Sequence, residues 1–350
     1  MERSNAWLSI ELFDMVFFGY VLTICILLLI YGGPGHQIVF ALSVHLAFGV
    51  VGAIVVWAAH VFRGPASIFC RVWYVPFLYV FIFEALGQIV HLLQDGLFDA
   101  WVLRLEKWVF GGYPTMWLQD RATWWLTEMM ALFYMSYYVV PFILGAALWR
   151  RKDWRKLNEA VLTTSVAFFF CFLHYLVMPV AGPVFIPDCM PFGLVSLKAG
   201  PLTEFEQWLF ARGAIRGAAF PSSHVAVAVA VMVLALRYRF FRVFYVIVVA
   251  GLGVSTVYHG YHYGVDVLYG FLVGVVAALI SPVLNRMWRD WWTGGQGLCN
   301  RAHSGSGQDE PSMAKEPNRP PRAHPLTTGV RMMSIRPTVV CNGIQGGVNT

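Results

Sequence analysis

Charged residues are scarce in this chain. Asp, Glu, Lys and Arg make up 13% of its 350 residues, whereas 58% are hydrophobic. Soluble domains average about 25% charged residues, so this composition excludes an ordinary soluble domain. Several apolar runs reach roughly 20 residues, the length that a helix needs to cross a bilayer. Because hydrocarbon cannot satisfy backbone polar groups, and the runs are too long for barrel strands, we expect membrane-spanning helices.

Other features are also missing. The six cysteines form no CxxC pair and show no metal-ligand spacing. The first apolar run begins beside acidic Glu11 and Asp14, and no convincing small-residue cleavage site follows it, so we expect no cleavable signal peptide. The net charge is +6. In a membrane protein this excess reports orientation, because cytoplasmic loops collect Lys and Arg, and nucleic acid is not expected as a partner.

The apolar runs predict an all-α, polytopic membrane bundle of about eight transmembrane helices, with a six-helix core after two N-terminal spans. The predicted spans are 11–31, 38–61, 72–93, 123–149, 159–181, 220–237, 243–261 and 266–284. We divide the chain into the N-terminal spans (1–62), a membrane domain (63–292) and a disordered cytoplasmic tail (293–350), which is rich in Gly, Ser, Pro and Arg.

Basic residues concentrate in alternate connections. They lie at 62–71, 150–158, 237–242 and just after the last span. If the spans alternate strictly, these clusters share one face with the N-terminus, and the positive-inside rule places both termini in the cytoplasm. The long connections 94–122 and 182–219 then lie on the outer face. The first predicts an interfacial helix, and the second predicts an irregular start followed by a short helix.

Two histidine-bearing stretches open apolar runs. These are Phe220–His224 and Tyr258–Asp266. His224 and His262 lie 38 residues apart, which accommodates one span of ~20 residues, a tight turn and one span back. Both histidines should therefore lie at one depth on the outer face. Asp266 follows His262 by four residues, so its carboxylate can hold one ring nitrogen of the imidazole.

Any one of these residues alone is adequately explained as a polar helix end, but the set at one depth indicates a functional site. Glu84 belongs to a polar stripe in the third predicted span, and we consider it for a headgroup pocket, with a structural hydrogen-bond network as the alternative. His259 is a further pocket candidate. A zinc site built from His224, His259, His262 and Asp266 is an alternative by ligand type, but we expect no metal.

The same stretches carry a family resemblance. Pro221–His224 is similar to the second signature of the type 2 phosphatidic acid phosphatase superfamily, PSGH. Ser255, His262 and Asp266 match the spacing of its third signature, SRxxxxxHxxxD. The text around them is closer still to the inositol phosphorylceramide synthase branch, as are two further segments within 110–114 and 175–185. The resemblance covers roughly residues 70–285, so 63–292 is expected to be the catalytic domain.

The resemblance implies a phosphohistidine mechanism that needs no metal or cofactor. His262 would attack the phosphorus of a lipid phosphoester, Asp266 would orient it, and His224 would protonate the departing oxygen. Ser222 and the amides of Ser223 and His224 would hold phosphate oxygens, as free amides at a helix N-terminus favour. The expected setting is the outer face of a plasma (inner) membrane.

Two departures from the family pattern concern the phosphate. Thr256 occupies the place of the third-signature Arg, as in the inositol phosphorylceramide synthase branch, and the first signature, KxxxxxxRP, is missing. Both normally supply cations to the phosphate. Arg216 is our main substitute, with Lys198 and Arg212 as further candidates, and Thr256 is assigned to the phosphate site.

The favoured function is an integral membrane lipid phosphotransferase of the inositol phosphorylceramide synthase type, with lipid phosphate and membrane lipids as partners. A phosphatidic acid or isoprenoid phosphate phosphatase is the alternative within the family. A transporter that uses the polar residues as an ion path is a different class, although the polar residues cluster at one face. An inactive lipid-binding scaffold is a third alternative, which the intact His262–Asp266 pair disfavours.

Overall fold

A computed structural model describes residues 10–304 of the chain, apart from residues 34, 63 and 192. Within this range the chain forms twelve α-helices and no β-strand, which confirms the all-α prediction. The helices are α1 (Leu12–Tyr31), α2 (His36–Val61), α3 (Pro65–Leu86), α4 (Asp99–Phe110), α5 (Pro114–Gln119), α6 (Trp124–Met135), α7 (Val140–Arg150), α8 (Trp154–Val177), α9 (Pro201–Gly213), α10 (Ser223–Arg237), α11 (Arg242–Tyr258) and α12 (Gly264–Ser304).

Five of these helices are long and apolar enough to cross a membrane on their own, and the protein is an integral membrane protein. They are α1, α2, α3, α8 and the part of α12 up to Trp291. The predicted span 123–149 is instead two helices, α6 and α7, which meet at an angle of 44° across a short 3₁₀ turn, Ser136–Tyr138. Pro141 lies in the first turn of α7, where its missing N–H favours a helix start over continuation.

The remaining predicted spans correspond to α10 and α11, which are short. With 15 and 17 residues and 1.5 Å rise per residue, they extend about 22 and 25 Å, less than the ~30 Å of a hydrocarbon core. Residues Phe220–Ser222, which precede His224, and residues 259–263, which include His262, are not helical but lead into α10 and α12.

Helix α8 is the centre of the bundle. It packs against α1, α3, α7 and α10, and 72% of its apolar window is buried. α10 contacts α11, and α11 in turn contacts α5 and α6. The hairpin of α10 and α11 therefore sits between the central helix and the bent pair, with its histidine-bearing ends on the same side.

The two long connections, 94–122 and 182–219, contain helices as the sequence predicts. α4 in the first is amphipathic, since Asp99, Val102 and Glu106 are buried whereas Trp101 and Trp108 are exposed. The second connection starts irregularly and then forms α9, which begins at Pro201. Its N-terminal amides bind a side chain of α6, as described below.

The chain divides into two compact units, Met1–Asn285 and Arg286–Thr350. The first unit includes α1 and α2, so the chain shows no division into compact units at residue 62. The boundary there stays a prediction about which part of the chain is catalytic. Within the second unit the structure describes only a helix up to Ser304. The predicted tail, 293–350, therefore begins inside this helix, and its part beyond residue 304 lies outside the described residues.

A buried ion pair joins α1 to α3. We had assigned Arg71 to a basic loop, but α3 begins at Pro65 rather than residue 72, and Arg71 is buried within it. Its guanidinium binds both carboxylate oxygens of Asp14, and Nη1 donates to Oδ1 over 2.8 Å. The hydroxyl of Tyr74 donates to the same Oδ1 over 2.6 Å. The carboxylate is thus paired and hydrogen-bonded, which makes its burial tolerable.

Removing one partner of this pair should strongly destabilise the protein. We expect Arg71→Met to lower the free energy of unfolding by about 3–5 kcal/mol, because it leaves the Asp14 carboxylate buried without its counter-charge. The double variant Asp14→Leu/Arg71→Met should recover most of that loss, since it buries no charge. Thermal unfolding in detergent measures both; equal destabilisation by the single and double variants would contradict the ion-pair explanation.

Candidate active site

The start of α10 is organised by Ser222. Its hydroxyl accepts a hydrogen bond from the amide of Val225 over 3.4 Å, which is the usual role of Ser as a helix N-cap. Its own amide donates to the backbone carbonyl of Asp266 over 3.1 Å. This bond links the two histidine-bearing stretches directly. It also places His224, in the first turn of α10, beside the loop that carries His262.

The His262 loop is a tight turn between α11 and α12. Gly260 adopts a left-handed φ of +72°, a conformation that other residues rarely take, and the amides of Tyr261 and His262 both donate to the carbonyl of Thr256. The Nδ1 of His262 lies 2.8 Å from the carbonyl oxygen of Ala219. A carbonyl only accepts, so Nδ1 carries the proton and Nε2 keeps its lone pair. Burial lowers the pKa of His262 to about 4, so the ring is neutral near pH 7.

Asp266 lies behind His262, but it is not the nearest partner of the ring. One carboxylate oxygen, Oδ2, lies 3.5 Å from Nδ1 of His262 and accepts the amide of Tyr263 over 2.9 Å. The expectation that Asp266 holds the imidazole therefore needs correction, because the carbonyl of Ala219 is closer and takes the Nδ1 proton. The carboxylate is placed to stabilise positive charge on the ring.

His224 faces His262 across the site. Their ring centroids are 5.6 Å apart, as the 38-residue spacing predicts. The Nε2 of His224 lies 3.3 Å from the hydroxyl of Tyr134, and its ring centroid lies 4.4 Å from that of Tyr137. Its Nδ1 is buried and has no hydrogen-bond partner among the described residues. One histidine is thus fixed by the backbone, and the other is surrounded by tyrosines.

Both histidines line one cavity of about 320 Å³. Its walls come mainly from α3, the bent pair, α9 and the two histidine stretches, and most of them are aromatic or aliphatic. Glu84 and Arg212 are the lining residues that carry a formal charge, and Ser223 also lines the cavity. Glu84 lines this cavity, as predicted. The other residues of the predicted polar stripe follow Leu86, where α3 ends, so they do not continue the same helix face.

Four other predicted site residues do not line the cavity. Ser222 and Thr256 are fully buried, and the Thr256 hydroxyl donates to the carbonyl of Gly253 over 2.8 Å. Arg216 is exposed and lies outside the lining, whereas Arg212, four residues earlier, is part of it. His259 is buried with its Nε2 3.8 Å from Glu206, whose pKa burial raises to about 7.

The amide of Ser223 is also engaged. It donates to the hydroxyl of Tyr175 over 3.2 Å, and that hydroxyl donates to the carbonyl of Pro221 over 2.9 Å. A phosphate at this helix start would therefore have to displace Tyr175 from the Ser223 amide. In the described part of the chain, no three His, Cys, Asp or Glu side chains are grouped as ligands for a metal ion.

The comparisons with known proteins identify the family. A family model described as PAP2 superfamily matches residues 100–280, just over half of the chain. The chain belongs to the PAP2 superfamily. Membership supports a phosphatase or phosphotransferase activity in the membrane. Comparison with curated proteins and with solved structures gives no match. In this PAP2 protein both histidines, Asp266 and Arg212 fall within the matched range.

Two buried carboxylates that we did not predict hold the His262 loop of this PAP2 protein. Asp99 accepts the amides of Ala181 and Gly182 over 2.9 and 3.0 Å and the hydroxyl of Tyr263 over 2.8 Å. Glu106, two turns along the same face of α4, accepts the amide of Val265 over 3.1 Å. The amphipathic pattern of α4 was readable, but an acidic residue on its buried face gives no sign of which backbone it binds.

Two further side chains act in the same way on neighbouring connections. Gln119 donates to the carbonyl of Tyr258 over 2.8 Å and accepts the amide of Val195 over 2.9 Å. Glu128 of α6 accepts the amides of Gly200, Leu202 and Thr203 at the start of α9. The cavity walls contributed by α9 and by the His262 loop are therefore positioned by polar side chains from α4, α5 and α6.

The protonation of Glu106 should make stability depend on pH. Burial raises its pKa to about 7, against the lowering effect of the Val265 and Gly264 amides. The folded protein then holds this proton more tightly than the unfolded chain, so the stabilisation is complete below about pH 4.5 and is lost as pH rises through about 7. Glu106→Gln should remove up to about 3 kcal/mol of this pH-dependent loss.

Thermal unfolding between about pH 5 and 8 measures the effect. We expect the unfolding temperature of Glu106→Gln to fall less over this range than that of the unmodified protein. Glu204→Gln is the matched control, since Glu204 is an exposed carboxylate on α9. If Glu106→Gln and Glu204→Gln have the same pH dependence, Glu106 does not hold its proton in the folded state.

Proposed function

We propose that the protein is a lipid phosphotransferase that resembles inositol phosphorylceramide synthases and works through a phosphohistidine on His262. The observation that carries the proposal is the pairing of His224 with His262 in one cavity, with the Nδ1 proton of His262 held by Ala219. That hydrogen bond leaves Nε2 as the nucleophile. The motif resemblance around Thr256 favours the transferase branch.

In the first step, Nε2 of His262 attacks the phosphorus of the donor lipid. The negative charge of the bound phosphate favours protonation of His224. The N–P bond forms as the bond from phosphorus to the leaving oxygen breaks, and His224 gives its proton to that oxygen. The ring of His262 becomes positively charged while Nδ1 still donates to Ala219. Asp266, with Oδ2 3.5 Å from Nδ1, stabilises this charge.

In the second step an alcohol replaces the leaving group. Its hydroxyl loses a proton to His224 as its oxygen attacks phosphorus, and the N–P bond breaks to restore neutral His262. Water in place of the alcohol would make the same site a phosphatase. The largely apolar cavity wall favours an amphiphilic alcohol over water as acceptor.

We place the site on the outer face of a plasma membrane, with both termini in the cytoplasm. His224 opens α10, whereas the basic residues Arg237, Arg239 and Arg242 stand at its other end. The positive-inside rule assigns that other end to the cytoplasm. Labelling of cysteines introduced at Arg216 and Arg239 with an impermeant reagent on intact cells tests the assignment; labelling at Arg239 alone would reverse it.

Turnover of a labelled phospholipid panel, with and without a ceramide or diacylglycerol acceptor, tests the reaction. We expect the label to move to the acceptor, and we expect His262→Ala and His224→Ala to lower kcat by at least about a thousandfold, as loss of a nucleophile or its proton donor does. Acid-labile, base-stable label on the protein would identify the phosphohistidine. Release of free headgroup phosphate irrespective of acceptor would favour the phosphatase, and full activity of both variants would exclude the mechanism.

Arg212 is our candidate for the missing phosphate cation. Its guanidinium stacks on Trp208, with Cζ 4.0 Å from the ring centroid, and it lines the cavity that holds the histidines. Because a charge-assisted hydrogen bond contributes roughly 1.5–3 kcal/mol, Arg212→Ala should lower kcat/KM about 10- to 100-fold. Arg216→Ala is the matched control and should change kcat/KM less than about twofold. The reverse order would return the role to Arg216.

A further inference from the structure

A second cavity lies next to the catalytic one. Its volume is about 140 Å³, and it is enclosed by α3, α7, α8, α10 and the 3₁₀ turn of the bent pair. The two cavities share one wall, which consists of Tyr79, Val80, Tyr137, Tyr138 and Phe168. The break between α6 and α7 forms part of this wall, since Tyr137 and Tyr138 belong to its 3₁₀ turn.

The second cavity extends from the histidines toward the middle of the bundle. His224, Val227 and Val231 are spaced i, i+3 and i+7, so they share one face of α10. Val227 and Val231 line the second cavity, and Val231 lies about 10 Å farther along the helix than His224. α8 shows the same direction, because its lining residues run from Phe168 back to Leu157.

The walls of this cavity are apolar. The hydroxyl of Tyr79 is bonded to the hydroxyl of Ser165 over 2.7 Å, and that of Thr164 donates to the carbonyl of Ala160 over 3.0 Å. The remaining lining is mostly Val, Leu, Phe, Pro, Ala and Gly. Burial of a charged headgroup there would be unfavourable, because the lining offers no counter-charge. Transfer of a hydrocarbon chain from the bilayer would cost little free energy, because both surroundings are apolar.

The far end of the cavity, which is the end most distant from the histidines, is lined by one residue of each helix. These residues are Trp73 on α3, Gly145 on α7, Leu157 on α8 and Val231 on α10. Gly145 is in close contact with Trp73, since a Cβ there would come within 2.6 Å of the indole ring. The indole therefore lies against α7 at this far end.

We propose that this second cavity receives one hydrocarbon chain of the lipid substrate and sets the longest chain that binds without strain. The inference rests on the proposed function, because the phosphate must lie at His262 for its chain to reach the shared wall. The wall shared by the two cavities supports it, as do the apolar lining and the contact of Trp73 with α7 at the far end. The preferred substrate therefore has at least one chain of limited length that inserts between the helices.

Binding of n-alkyl phosphates of increasing length, from octyl to hexadecyl, tests the proposal. The measurements use the detergent-solubilised full chain, both unmodified and as His262→Ala, and calorimetry as the readout. We expect the affinity to rise about fourfold with each methylene until the chain reaches Trp73 at the far end, and then to level off. Calorimetry measures binding and does not require turnover. If the alkyl phosphates bind but no substrate is turned over, the proposed function fails and the inferred chain site stands.

Two variants should move the levelling-off point in opposite directions. Val231→Phe fills the far end and should shift it to shorter chains, whereas Leu157→Ala opens that end and should shift it to longer ones. Val276→Phe is the matched control: it makes the same change at an exposed position of α12 and should leave the point unchanged. A misfolded variant would lose affinity at every length and could not produce a shift to longer chains.

The inference is overturned if the unmodified protein, Val231→Phe and Leu157→Ala all level off at the same length, or if the affinity of each rises without a limit. Either result would mean that the chain stays in the surrounding lipid or detergent. Absence of binding for every alkyl phosphate would overturn it as well. Val231→Phe and Leu157→Ala can each be combined with His262→Ala. A shift of the levelling-off point in these double variants would support the chain site even if the reaction itself proves to be different.

Discussion

Backbone groups outside regular helices need hydrogen-bond partners inside the protein, and the half of this molecule that holds the two histidines is built around that requirement. Apart from α9, the segments between α8 and α10 and between α11 and α12 are largely irregular, so helical hydrogen bonds satisfy only part of their amides. Asp99, Glu106, Gln119 and Glu128 provide the partners from α4, α5 and α6. Each carboxylate is buried, and each is stabilised by the amides that it accepts.

The same requirement produces the geometry of the histidine pair. The carbonyl of Ala219 cannot be bonded within a helix, and Nδ1 of His262 satisfies it. The carbonyl of Asp266 is satisfied in turn by the amide of Ser222. These two bonds cross between the stretches that carry His224 and His262. The tautomer of the proposed nucleophile is therefore a consequence of how the loop backbone is accommodated.

Short and broken helices create the space in which a substrate can bind. α10 and α11 extend about 22 and 25 Å, so their loops lie where full-length spans would have continued as helix. α6 and α7 meet at a bend of 44°, and the turn at that bend lines both cavities.

Much of the fold and part of the site could be predicted from the chain. Apolar runs identify the spans, because a helix must present hydrocarbon-compatible side chains over a fixed length, and the 38-residue separation brings His224 level with His262 by rise per residue alone. Both are properties of local sequence and of membrane thickness. The His–Asp spacing likewise placed Asp266 beside the ring.

Only the tertiary structure decided which groups meet. It paired Arg71 with Asp14, gave Ala219 the Nδ1 proton of His262, engaged Ser222 and Thr256 in their own helices, and brought Arg212 to the cavity wall in place of Arg216. These partners come from distant parts of the chain or depend on where a helix begins and bends. The periodicity of the sequence indicates which face of a helix is buried, but it does not specify which atoms of other segments contact that face.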